Sequence, residues 1–189
     1  MASPTNYNTL SKEGVDVSVM YTVTASTTPE TPAPPFAVGD ICEGINNAAW
    51  VFVQASTSIT YNDFVVIKGT AQANSMTTTT IAAAGGAQIG VAPGSTSAGG
   101  GANPAILAGV YFWAQIRGNI VAGNAIAATS TSNVALYTSA TAGIVSSTST
   151  GQPLGGIVMT ASATANPQTF QLTWPRVLPS SSLVQSFIP

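Results

Sequence analysis

Histidine is absent from the 189 residues, and Cys42 is the single cysteine. Without imidazole there is no Ser–His–Asp triad, no Cys–His pair and no histidine metal ligand. One cysteine allows neither an intrachain disulfide nor a zinc site of two or four thiolates. Cys42 is expected to be a small buried apolar residue. Charge is nearly as scarce. Four Lys plus Arg and six Asp plus Glu make up 5% of the chain, against about 25% in ordinary soluble domains. The net charge of −2 leaves no basic footprint for nucleic acid. The longest apolar run, Ala105 to Ala114, is about half a membrane span, so no membrane partner is expected. MASPTNYNTLSKEG contains no apolar h-region, so no secretory signal is expected. Gly99–Gly101 is not followed by GK[ST], and the only lysines are Lys12 and Lys68, so no phosphate loop and no cofactor are expected.

Ser, Thr, Ala and Gly fill the places that charges usually occupy. Such a surface is polar but weakly charged and resists aggregation poorly as a free monomer, which suits a subunit of a large assembly. The charges present are unevenly placed. All six acids lie at or before Asp63, and after Lys68 only Arg117 and Arg176 remain.

Periodicity points to strands. In VDVSVMYTVT, residues 15–24, Val15, Val17, Val19, Tyr21 and Val23 alternate with Asp16, Ser18, Met20 and Thr22, a strand pattern. ASTTPETPAPPF follows, with prolines at 29, 32, 34 and 35. Proline lacks the N–H a central strand needs and favours extended geometry, so residues 1–35 are expected to be an N-terminal arm. From Phe36 onward short β-rich runs recur at Trp50–Val53, Phe64–Lys68, Gln88–Val91, Val110–Arg117, Val134–Thr138, Gly156–Thr160 and Thr169–Trp174, separated by Gly, Asn, Pro and Ser clusters. This pattern predicts one all-β domain over residues 36–175, a small barrel or sandwich. No window carries a 3.6-residue period. IAAAGGA is interrupted by Gly85 and Gly86, and the β-branched Thr77 to Thr80 favour strand. WPRVLPSSSLVQSFIP has three prolines and no period. Residues 176–189 therefore read as a second arm, whose Leu183, Val184, Phe187 and Ile188 would dock onto something.

Few residues offer chemistry. Asp40, Glu43 and Asp63 are the only candidates for a carboxylate pair of the glycosidase kind. Asp40 and Glu43 sit in VGDICEGINN, a turn-like stretch where acids usually bond to nearby backbone N–H groups, so a structural role is favoured. A Ser–Lys dyad through Lys68 is the remaining catalytic idea. Trp50, Trp113, Trp174, Tyr61, Tyr111 and Phe112 invite a sugar-stacking platform; a barrel core plus a contact surface is the favoured alternative. In the strand at 110–117, Val110, Phe112, Ala114 and Ile116 share the natural core face, while Tyr111, Trp113, Gln115 and Arg117 share the other. A solvent face would hardly need Tyr and Trp where Ser and Thr abound. That second face is therefore expected to be covered by another subunit, with Arg117 taking a carboxylate or carbonyls. The alternative is a bond within the chain, to Asp63 or a loop carbonyl, that closes the barrel end. Val17, Val19, Tyr21 and Phe187 on the arms join the expected interface residues.

Several segments in order carry a family resemblance: FAVGD, FVVIKGTA, QIGVAPGSTSAGG, VYFWAQIRGNIVAGNAIAATS and TAGIVSSTSTGQPLGGIVMTASAT. From Phe36 to about Ala163 the chain resembles tailed-phage capsid decoration (cement) proteins. The resemblance implies a non-enzymatic β-barrel or sandwich on the outer surface of a phage head, made in the host cytoplasm. Its implied partners are the major capsid protein and further copies of itself, as a dimer or trimer. The alternative is a phage tail, knob or head-fibre module that binds a host surface glycan.

Overall fold

A computed structural model describes residues 14–22, 34–84, 87–94, 105–125, 134–161 and 166–178. The strands are β1 (Ile41–Glu43), β2 (Ala49–Ala55), β3 (Ile59–Thr60), β4 (Phe64–Ile67), β5 (Gln72–Ser75), β6 (Gln88–Val91), β7 (Ala105–Ile106), β8 (Tyr111–Gly123), β9 (Leu136–Thr138), β10 (Val145–Ser146), β11 (Pro153–Ala161) and β12 (Gln168–Val177). One helix, α1 (Thr78–Ala84), stands among them.

The fold is all-β and closes into a six-stranded barrel. β2 runs parallel to β5, β5 pairs antiparallel with β4, and β4 with β6. β6 reaches both β8 and β12, through Val91–Gln115 and Gln88–Arg176. β12 pairs with β8, and β8 returns to β2, with Phe52 opposite Trp113 and Val53 opposite Phe112. β11, β9 and β10 continue the sheet beyond β12, and β1 flanks β2. β3 and β7 form a separate small ladder.

Alternation on these strands sorts apolar side chains into three compartments. Val51, Val53, Val65, Ile67, Ala73, Phe112, Ala114 and Ile116 fill the barrel. The opposite faces of the same strands send Phe64, Val66, Ile89 and Val91 into a second core with Leu136, Val145, Leu154, Ile157, Met159, Phe170 and Leu172. β4 is therefore buried on both faces, which explains its unbroken FVVI. The third compartment lies outside β2 and β8, where Trp50, Phe52 and Trp113 meet Cys42 and Val17. Fully burying a side chain of this size stabilises by about 1.5–3 kcal/mol, so each compartment holds its strands firmly.

The structure corrects four expectations. Residues 15–22 are not an extended strand. Asp16 accepts hydrogen bonds from the Ser18 amide at 3.0 Å and the Ser18 hydroxyl at 2.6 Å, and the Val19 amide donates to the Asp16 carbonyl. This side-chain turn outcompetes the strand that alternation favours, and the segment takes part in β pairing only at isolated bridges, at Asp16 and between Tyr21 and Tyr111. The described part of the N-terminal segment also lies on the domain rather than extending from it, with Val17 3% exposed. Residues 78–84 are helical although the threonines favour strand. Thr77 Oγ1 accepts from the Thr80 amide at 2.9 Å, and Thr80 Oγ1 accepts from the Thr77 amide at 2.7 Å. That reciprocal cap starts a helix where propensity opposes one. Finally, Arg176 and Val177 belong to β12, paired with Gly155 and Leu154, so the strand continues past the expected boundary. Val23, Thr24, Pro29, Pro32, Leu183, Val184, Phe187 and Ile188 lie outside the described residues.

Candidate functional site

β8 carries the residues from which a contact surface was expected. Phe112, Ala114 and Ile116 do face the barrel core, all of them fully buried. Tyr111 and Trp113 face the third compartment, and their cover comes from within the chain. Phe36 meets Trp113 edge-on at 5.0 Å, Phe52 at 5.4 Å and Tyr21 at 6.0 Å between ring centroids. Tyr111 stacks on Phe52 at 5.8 Å. The Tyr21 amide donates to the Tyr111 carbonyl at 2.9 Å, and the Tyr111 amide returns a bond at 2.8 Å. The described residues 14–22 together with Phe36 thus form a strap across β2 and β8, in the place assigned to a second subunit. With Trp113 2% and Val17 3% exposed, neither is open to a partner in this conformation. The apolar stripe that called for a cover finds it within the same chain. Trp113 Nε1 is buried with no hydrogen-bond partner among the described residues. Tyr21 and Gln115 are half-buried, Val19 is 38% exposed, and Phe187 lies outside the described residues.

Arg117 is the exception on this face. Its Nη2 donates to Glu43 Oε1 at 2.7 Å, and its Nε donates to the Asn47 carbonyl at 3.0 Å. Of the two alternatives, the intrachain bond is the one present. The partners are Glu43 and a loop carbonyl rather than Asp63. Asn46 and Asn47 both take positive φ, 55° and 60°, a conformation asparagine tolerates, and the tight turn they make brings the Asn47 carbonyl to the guanidinium. Arg117 Cζ also lies 5.4 Å from the centroid of the Trp174 ring.

Trp174 is the one tryptophan left open, 40% exposed against 4% for Trp50 and 2% for Trp113. It sits on a bulge. Leu172 pairs with Ile157 and Arg176 with Gly155, so Thr173, Trp174 and Pro175 stand opposite Gly156 alone. Trp174 has φ 50° and Gly156 φ 75°. A Cβ at Gly156 would collide with the Thr173 carbonyl, so the bulge requires glycine there. Nothing in the strand pattern reveals this partnership. The traces it leaves in sequence are the Gly155–Gly156 pair and the proline that follows Trp174.

The candidate catalytic groups are not assembled. Asp40 Oδ2 accepts from the Ala37 amide at 2.9 Å in the turn before β1. Glu43 holds Arg117. Asp63 is 4% exposed. Its Oδ2 accepts from the Thr60 amide at 3.1 Å and the Ser75 hydroxyl at 3.0 Å, and its Oδ1 from Asn124 Nδ2 at 3.1 Å. Burial pushes the Asp63 carboxyl above its ordinary range, against the pull of these hydrogen bonds. A Cβ at Gly143, φ 71°, would overlap the carboxylate, so Asp63 is packed as a structural junction between β4, β5, the end of β8 and the loop before β10. With the Asn74 amide turned to satisfy both neighbours, its nitrogen donates to Ser56 Oγ and its oxygen accepts from Lys68 Nζ at 3.3 Å. Asn74 thus stands between lysine and serine where a dyad would need direct contact. The sugar platform is not formed either, since Trp50, Trp113 and Phe112 are buried. Among the described residues no group of three His, Cys, Asp or Glu could hold a metal ion. No protein-family model, no curated protein and no solved structure matches the chain.

Proposed function

We infer that the protein is a non-enzymatic virion component, a capsid decoration protein that binds the outer surface of a phage head and stabilises it. Its partners are the major capsid protein and, as a dimer or trimer, further copies of itself. It is made in the host cytoplasm and ends on the virion. The observation that carries this reading is how the four described carboxylates are used. Asp16, Asp40, Glu43 and Asp63 each hold a neighbouring group of the fold. What remains on a barrel with 5% charged residues is contact surface, including Ile41 and Trp174. Many weak contacts, repeated over a shell, add up to firm attachment.

A stained gel of purified virions tests the proposal. Decoration predicts a copy number comparable to that of the major capsid protein. Far fewer copies would overturn it in favour of a tail, knob or head-fibre module that binds a surface glycan. Glycan hydrolysis by the wild-type protein, lost when Asp40, Glu43 and Asp63 are changed together to Asn or Gln, would overturn the non-enzymatic part.

A further inference from the structure

We propose that Trp174, raised on its bulge and braced by Arg117, is the anchor by which this protein docks on the head shell. The proposal rests on the decoration reading and gives it a surface. A bulky residue in the left-handed region is unfavourable and persists only where its surroundings enforce it, most often at functional sites. Here the surroundings do enforce it. Gly156 alone allows the three residues of β12 to bulge, Pro175 next to the tryptophan is buried, and Leu178 packs against Gly155. A core residue would gain burial from such a construction, but Trp174 stays 40% exposed. The bulge serves to present the ring.

The ring is also oriented before any partner arrives. The Arg117 guanidinium lies against it, and Arg117 is itself fixed by Glu43 and the Asn47 carbonyl. Fixing a side chain in advance lowers the entropic cost of binding. Trp and Arg are the residue types most enriched among those that dominate protein interfaces. Among the described residues Arg117 bonds through Nε and Nη2, and its Nη1 donors suit a partner's carbonyl or carboxylate oxygens. Ile41, 53% exposed and two residues from Glu43 on β1, adds apolar surface on the same strand.

The shape selects the class of partner. A small molecule or sugar takes a concave site that buries most of its surface. Trp174 stands exposed on a strand bulge, with exposed Thr173 before it and exposed Arg176 two residues after it, a placement suited to insertion. The partner it fits is a protein surface with an apolar slot, rimmed by oxygen acceptors for Arg117.

The test uses phage heads lacking this protein and the full chain added back. Hydroxyl-radical footprinting of the wild type should label Trp174 in the free protein and protect it on the heads. Trp174→Ala should bind about 30-fold more weakly or worse, the loss typical of an interface anchor. Its circular dichroism spectrum should match wild type, and Leu107→Ala, at another exposed apolar site, should bind normally. If wild type binds while Trp174 stays fully labelled, the docking inference fails and the decoration reading stands. If wild type does not bind heads at all, both fail. Protection of Trp174 by host surface polysaccharide but not by heads would overturn the inference in favour of a glycan site. Footprinting is done on wild type, so a folding defect in the alanine variant leaves the test intact.

Discussion

Arg117→Ala separates the two origins of an arginine on a strand face. If Arg117 served only a second subunit, the variant would lose association and keep the melting temperature of the isolated chain. The structure predicts instead that the melting temperature of the isolated chain falls. Three contacts within the chain are lost: the bond to the Asn47 carbonyl, the ion pair with Glu43 and the contact with Trp174. A hydrogen bond from a charged donor contributes about 1.5–3 kcal/mol. Asn47 is exposed, so water takes over its carbonyl and the loss falls at or below the low end. The Glu43 carboxylate side chain is 49% exposed and that of Arg117 19%, so the ion pair adds about 0.2–1 kcal/mol. The cation–ring contact adds about 0.5–1 kcal/mol. Together these amount to about 2–3 kcal/mol, or a fall in melting temperature of about 4–12 °C for a chain of this size. Thermal melts of the isolated protein measure it. A double-mutant cycle with Glu43→Gln should return a coupling of about 0.5 kcal/mol. A melting temperature unchanged within error, with association lost, would refute the intrachain account.

Asp63 should give the protein an inverted acid response. Its carboxyl titrates above the ordinary 3.8 in the folded chain because burial disfavours its charge. The folded state then binds the proton more readily than the unfolded state, so this group's contribution to stability falls as pH rises from about 3.8 through the folded value. Asp63→Asn should remove that slope, which urea midpoints at several pH values between about 4 and 7 will show; identical slopes in the two proteins would contradict it. Phe36→Ala should loosen the strap, since Phe36 touches Tyr21, Phe52 and Trp113. A half-buried phenylalanine puts the cost at about 2–3 kcal/mol, below that of full core truncation. Amide exchange at Tyr21 and Tyr111 should quicken, and unchanged protection there would show that the strap is held by other means.

Strands with a buried and a covered face were legible in the sequence because alternation is a property of the strand itself. β2, β4, β6, β8, β11 and β12 all overlap the apolar runs read from it. β1 and β5 went unseen because ICE and QANS are short and carry polar or charged residues where β4 and β6 carry apolar ones. α1 was misread because a side-chain cap at Thr77 outweighs β-branched propensity. The two-faced character of β8 was also visible, but not what covers its outer face. That depends on where residues 15–22 fold back, which the Asp16 turn decides and periodicity does not encode. Arg117 announced itself as an isolated cation. Glu43 had been considered only as an acid, and Trp174 only as one ring among several. Their meeting across β1, β8 and β12 is set by register, which no local pattern contains.

The long strand β8 has a kinetic consequence. β1–β2, β4–β5 and β11–β12 are neighbours in sequence and pair antiparallel, so each closes only a short loop. β8 contacts none of its sequence neighbours in this way. It joins Gln54 to Tyr111, Val91 to Gln115 and Gln168 to Gly123, so the entropy of closing several long loops falls on its arrival. Folding is then expected to proceed from preformed hairpins that wait for β8, at the slow rates of non-local β topologies. Until it arrives, the barrel faces of β2 and β4 stand open to solvent, and newly made chains are at their most prone to join one another.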